Sequence, residues 1–156
     1  MSLVIVDDIL EEGGFSYTDF KFADNTSFRN WISKRITWID AKIKTLVGDD
    51  TYAAACDDIK FAEMYWVISS MLRKRQVNIA SGIEGGFAIG SLRIDNASTA
   101  ARGLVEITQD LFIKAQTLLA PYAPLTRADF LVVADEELDE DELLLPPNRF
   151  WLRYGG

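Results

Sequence analysis

Chemistry in this 156-residue chain has to be done without histidine, of which there is none. That removes the commonest general base, the commonest metal ligand and every Ser-His or Cys-His nucleophile arrangement. Carboxylates remain, 24 of them, so a paired-carboxylate hydrolase is the first chemistry to weigh. Asp7, Asp8, Glu11 and Glu12, with the seven acidic residues of the eight from Asp135 to Glu142, lie in tracts. Such tracts lack interleaved core residues to hold two carboxyls at one separation with different pKa values. Asp57-Asp58 with Glu63 offers oxygen ligands to a hard cation, but no spaced oxygen-ligand loop accompanies them. Gly82, Gly85, Gly86 and Gly90 form neither GxGxxG nor GxxxxGK[ST], and no lysine follows them, so a nucleotide loop is unsupported. Cys56 is the single cysteine, which rules out an internal disulfide or a multi-Cys metal site. It sits among alanines on a helical pattern and reads as a small buried residue rather than a reactive thiol. The expectation is a protein with no catalytic residues, no metal and no cofactor.

Recognition chemistry is concentrated at the other end of the chain. Directly after the acidic block come Leu143-Leu144-Leu145-Pro146-Pro147 and then Arg149, Phe150, Trp151, Leu152, Arg153 and Tyr154. A like-charge block repels itself and stays solvated, separating this arm from what precedes it. The arm holds too many large apolar groups to leave in water and too few residues to bury them alone. Either it folds back over its own domain, or Arg149 to Tyr154 anchor a neighbouring subunit or partner, since interface cores favour Trp, Tyr, Phe and Arg.

The elements that must position these groups follow from apolar spacing. Leu3 to Ile5 is a short β-branched run, and Phe15, Tyr17, Phe20 and Phe22 surround a Gly13-Gly14 break, so the N-terminal segment is expected to be extended or irregular. A helix is predicted from the cap types Asn25-Thr26-Ser27 to Gly48, with Phe28, Ile32, Ile36, Ile39, Ile43 and Leu46 on one face and Trp31 and Trp38 widening it. A second is predicted from the Asp49-Asp50 cap through about Arg75. One of its stripes is Tyr52, Cys56, Ile59, Ala62 or Glu63 and Trp66; the other is Phe61, Met64 or Tyr65, Ile68 and Met71 or Leu72. Apolar on so much of its circumference, it should be the central helix. Arg73-Lys74-Arg75 then reads as charge complementing the helix's negative end. Ser81 to Asn96, glycines followed by Phe87, Ile89 and Leu92-Arg93-Ile94, suggests a turn and a strand, one arm of an exposed hairpin. A third helix is predicted from Asn96 to Thr99 up to Pro121, with Ala100, Leu104, Ile107, Leu111, Ala115 and Leu118 or Leu119 inward. Phe130 to Val133 is a brief apolar run before the acidic block.

Composition narrows the class further. With 49% hydrophobic residues, the chain suits one domain with a real core plus an arm. No apolar run approaches the length of a spanning helix, and the acidic N-terminus lacks a signal peptide's positive start, so synthesis in a cytoplasm is expected. The net charge is −8. Outside the two acidic blocks, 16 basic residues face 13 acidic ones, a mildly basic body between acidic ends. That polarity either orients copies against one another or reflects two solvated termini. Basic residues are scattered rather than gathered with aromatics, which argues against a nucleic-acid grip.

Two long amphipathic helices (Ser27 to Val47, Asp50 to Arg75), the stretch Val77-Asn78-Ile79-Ala80-Ser81-Gly82 leading into Gly90-Ser91-Leu92-Arg93-Ile94, and the helix Ala97 to Ala120 occur in an order that resembles the head-tail connector (adaptor) proteins of tailed bacteriophages. The likeness covers about residues 25 to 120 and is architectural, without a signature motif. It implies a mainly α fold, a bundle of three long helices with a short strand or hairpin insertion and an extended C-terminal arm. Residues 1–134 would form the connector-like domain, 135–142 an acidic spacer and 143–156 an anchoring arm. It also implies a non-enzymatic ring, usually of twelve copies, in the virion neck below the portal, extending a channel through which genomic DNA passes without sequence-specific binding. Its partners would be the portal protein, neighbouring copies and a tail-side neck protein, with assembly in the host cytoplasm. The competing expectation is a small acidic helical interaction module or regulator, a DNA mimic or a partner cap.

Overall fold

The computed structural model describes residues 1–54, 56–80, 87–89, 92–94 and 97–123, of which 77–80, 87–89, 92–94 and 97–101 are described as backbone. The chain divides into two units, Met1–Pro124 and Leu125–Gly156, and the described residues all belong to the first. Phe130 to Val133, the acidic block, the arm from Leu143 and most of the glycine-bearing stretch from Ser81 lie outside the described residues.

What is described is mainly helical. In chain order the elements are α1 (Val6–Gly13), a 3-10 turn (Tyr17–Phe20), α2 (Asn25–Val47), α3 (Asp49–Ala53), α4 (Asp57–Ala80), β1 (Phe87–Ile89), β2 (Leu92–Ile94) and α5 (Ala97–Leu119). The N-terminal segment, expected to be irregular, is a correction. Asp8 reaches back to the Ile5 N–H at 3.0 Å and starts α1, Ile9 is buried on its inner side, and Gly14 ends it at φ 61°. Ser16 and Asp19 start the 3-10 turn in the same way, the Ser16 N–H donating to Asp19 Oδ2 at 2.7 Å. Short polar caps, rather than a long apolar period, set these elements. Gly13 has a packing reason: a Cβ there would meet the ring of Phe15, itself buried edge-on against Phe20 with centroids 5.3 Å apart. Gly13→Ala is expected to lower stability by about 1–3 kcal/mol, the scale of overpacking; a thermal melt matching wild type would contradict this.

α2 begins at an Asp24 cap, whose Oδ1 accepts from the Ser27 N–H at 2.7 Å, one residue ahead of the expected cap types. That bond, above all, holds the Asp24 carboxyl below its ordinary range. Phe28, Ile32, Ile36, Ile39 and Ile43 are all buried as their spacing predicts, while Leu46 is half-buried and Val47 takes its place. Gly48, at φ 87°, a conformation favouring glycine, ends α2 and opens α3.

The predicted second helix is two helices. α3 stops at Ala53, and α4 starts at Asp57 after Cys56, whose carbonyl accepts from the Ile59 and Lys60 N–H groups at 3.1 and 3.2 Å. Tyr52, Ile59, Ala62, Glu63 and Trp66 are buried, but Phe61 is exposed and Cys56 only half-buried. α4 is nonetheless central, packing on α1, α2 and α5. It runs to Ala80, so Arg73-Lys74-Arg75 lies inside the helix and not at its negative end. α5 spans Ala97–Leu119; among its described side chains Leu104, Thr108, Phe112, Ala115 and Leu119 are buried, and that of Ala100, expected inward, lies outside them. Ile107 and Leu111, expected inward, are half-buried flanks. A polar Thr108 at the centre of the face is what hid its true direction.

α4 and α5 are antiparallel, since Trp66 meets Phe112 and Gln76 meets Leu104. Between them β1 and β2 pair antiparallel, Phe87 opposite Ile94 and Ile89 opposite Leu92. Both arms of the hairpin are therefore present where the glycine-then-alternation pattern suggested one.

Candidate functional site

α2, α3 and α4 converge on one group of polar side chains. The face of α2 that buries Ile36, Ile39 and Ile43 carries Asp40 in with them, and Lys44 one turn on reaches its Oδ2 at 2.8 Å. The corner at Gly48 turns Tyr52 of α3 back toward α4, where Glu63 lies on the buried stripe with Ile59 and Trp66. Tyr52 Oη donates to Glu63 Oε2 at 2.6 Å and accepts from the Leu3 N–H at 2.9 Å. Lys44 Nζ lies 4.7 Å from the centre of the Tyr52 ring. Glu63 is 0% exposed, and its Oε1, like Asp40 Oδ1, is buried with no hydrogen-bond partner among the described residues.

Two carboxyls face one ammonium here, and Lys44 is hydrogen-bonded to Asp40. If both were ionised, one negative charge would stand uncompensated, which a low-dielectric core strongly disfavours. Burial accordingly pushes the Glu63 carboxyl up to about 7; the Asp40 charge adds to the rise, while the Tyr52 hydroxyl, the Leu3 N–H and Lys44 oppose it. Burial, then the facing Asp40 and Glu63 carboxyls, also raises the Tyr52 phenol. Glu63 is fully enclosed, while Lys44 keeps 26% of its side chain exposed.

A second assembly occupies the edge where the 3-10 turn meets α2 and α4. Phe20 stacks on Phe28 with centroids 5.3 Å apart, and Phe22 tilts against Trp31 at 5.3 Å. Three cations sit over these rings: the Arg35 guanidinium 4.4 Å from the Trp31 centre, Lys74 Nζ 5.0 Å from Phe22 and 5.2 Å from Trp31, and the Arg75 guanidinium 5.9 Å from Phe20. This is the physical role of Arg73-Lys74-Arg75 in part: its last two members cap aromatic rings rather than a helix end, contacts worth about 0.5–2 kcal/mol each. Trp31 and Phe22 are half-buried, so the α2 edge bears a positively capped aromatic flank.

The other carboxylates weighed for chemistry are kept apart. Asp57 and Asp58 are exposed in the first turn of α4, whereas Glu63 points into the core. Asp58 Oδ2 accepts instead from Tyr122 Oη at 3.1 Å, beyond the end of α5. Hydrogen bonding to Cys56 and then to Asp58 raises the Tyr122 phenol. Among the described residues no three metal-ligating side chains gather, and no helix is long and apolar enough to cross a membrane. Arg149, Phe150, Trp151, Leu152, Arg153 and Tyr154, the expected anchoring residues, lie outside the described residues.

The buried cluster was only partly visible in the chain. Tyr52 and Glu63 fall on one stripe by spacing, but Asp40 was passed over, although an acidic residue within an isoleucine face and followed at i+4 by lysine is the signal that marks it. Set against protein-family models, curated proteins and solved structures, the chain matches none of them.

Proposed function

We propose that this chain is a non-enzymatic structural protein of a tailed-phage neck, forming a ring below the portal that extends the DNA channel and joins head to tail. The observation that supports the reading is the antiparallel hairpin Phe87–Ile89 and Leu92–Ile94 inserted between two long packed helices, α4 and α5, with α2 against α4. That order is what the resemblance implies for the connector bundle. On this reading the arm is the attachment device. Phe150, Trp151, Leu152 and Tyr154 fill a groove on the portal or the next subunit, Arg149 and Arg153 pair with carboxylates at its rim, and Pro146-Pro147 keeps the segment extended. The acidic block spaces the arm from the body and discourages tails from associating with one another before assembly.

The test is to mix the purified protein with portal-bearing capsids and score co-sedimentation. Full-length protein is expected to bind, and a chain lacking residues 143–156 is expected to keep its helical circular dichroism and lose binding. Trp151→Ala alone is expected to weaken attachment by about 2 kcal/mol or more, the scale of an interface hot spot. A truncated chain that melts several degrees lower yet binds normally would overturn the anchoring role, and full-length protein that binds neither portal nor itself would overturn the connector reading.

A further inference from the structure

The N-terminal segment joins the buried polar cluster through its backbone. The Leu3 N–H donates to Tyr52 Oη, and Tyr52 Oη donates to Glu63 Oε2, so a two-bond relay of 2.9 and 2.6 Å ties the segment ahead of α1 to α3 and α4. We propose that Leu3, Tyr52 and Glu63 form a proton-operated latch: while the Glu63 carboxyl is neutral the relay holds the N-terminal segment down, and when it is ionised the segment lifts and admits water to the carboxylate.

The groups facing Glu63 explain why charge cannot be accommodated in place. From α2 come Asp40, a like charge, and Lys44, already engaged by Asp40 at 2.8 Å. From α3 comes the Tyr52 hydroxyl, and from the N-terminal segment the Leu3 N–H. These donors serve one side only, and Glu63 Oε1 has no donor among the described residues. A buried carboxylate left half-solvated in this way calls for water. The easiest route is the lightest wall. α2 and α4 have 23 and 24 residues and are fixed by many buried side chains. The N-terminal segment is held by the relay, by buried Val4 and Ile9, and by the surface pairs Asp7 with Arg29 and Asp8 with Lys60, which contribute little. Elements with few buried contacts open first. Because burial places the Glu63 carboxyl near 7, the opening falls in the neutral range.

Backbone hydrogen exchange on the full chain, expressed as protection relative to the intrinsic rate at each pH, tests this. Between about pH 5.5 and about pH 8.5, protection over residues 3–10 is expected to fall by about tenfold or more, through the linkage of opening to Glu63 ionisation, and to stay below that over 104–115 at both values, since those core amides exchange only through global unfolding. Glu63→Gln keeps the relay's acceptor without a charge and is expected to make residues 3–10 equally protected at both values; Tyr52→Phe is expected to leave them weakly protected at both. An undiminished protection at the higher pH, or the same fall in Glu63→Gln, overturns the latch. Should Glu63→Gln not fold, the wild-type Glu63 carboxyl carbon, followed by NMR, decides: a midpoint coinciding with the loss of protection supports the latch, and one in the ordinary carboxylate range overturns it.

Discussion

Trp66→Ala is expected to destabilise the helical body by about 3–5 kcal/mol, and Ile59→Ala by about 2–5 kcal/mol, as large-to-small changes in a packed core do. Trp66 stands edge-on to Phe112 with ring centroids 5.9 Å apart and is 3% exposed; Ile59 is fully buried about two turns before it on the same side of α4. Removing the indole opens a cavity between α4 and α5, which share the protein's most extensive helix pairing, and two long helices cannot collapse into it without shifting their other contacts. Phe61 supplies the control. It lies on α4 between these two positions but is 46% exposed, so Phe61→Ala is expected to change stability by no more than about 0.5 kcal/mol. Urea melts of the three variants decide the matter: losses under about 0.5 kcal/mol at both Trp66 and Ile59 would mean that this side of α4 is not core.

The second large effect is a stability that declines with pH because of Glu63. Its carboxyl is raised from an ordinary 4.5 to about 7 in the folded protein, so between those values the folded state binds a proton that the unfolded chain has released. Its contribution is fully present below about 4.5, is lost as pH rises toward 7, and stays lost above. The span corresponds to about 3 kcal/mol. Glu63→Gln removes the titration, so wild type minus variant, measured by urea midpoints at several pH values, is expected to fall by about that amount across the window and then level. A difference that instead grows with pH would mean that the folded protein favours the ionised carboxylate.

The α2 face shows why much of the helical layout was legible. Phe28, Ile32, Ile36, Ile39 and Ile43 repeat at helical spacing with no polar residue at those positions, and all are buried. Legibility failed at several positions where a polar residue did core work. Thr108 occupies the middle of the α5 face, so reading apolar residues alone turned that face toward Ile107 and Leu111. Arg75, 5% exposed beneath the aromatic cluster, looked like a helix-end charge because its partner Phe20 is 55 positions away in the chain. The break before Cys56 had no proline or glycine to announce it. α1 and the 3-10 turn were missed because their signals are single cap bonds from Asp8 and Asp19, too short to show as a period. The candidate site fared likewise: the Tyr52 and Glu63 stripe was readable from spacing, whereas their union with Asp40 and the Leu3 backbone depends on tertiary approach alone.

The polar atoms between α4 and α5 carry a mechanical consequence. Ser69 Oγ donates to the Thr108 carbonyl at 3.1 Å, and the Gln76 side-chain amide donates to the Leu104 carbonyl at 3.1 Å and to Thr108 Oγ1 at 2.7 Å. Apolar ridges alone can slip past one another by a turn and find equivalent grooves. Main-chain carbonyls recur at every turn, but the Thr108 hydroxyl does not: one turn away, about 5.4 Å along the axis, stand Leu104 and Phe112, so sliding would break the Gln76–Thr108 bond without replacing it. The two helices are therefore held in one axial register by a polar contact rather than by apolar packing alone. Because the β1–β2 hairpin follows α4 and precedes α5 in the chain, the two helix ends nearest to it in sequence keep one axial offset.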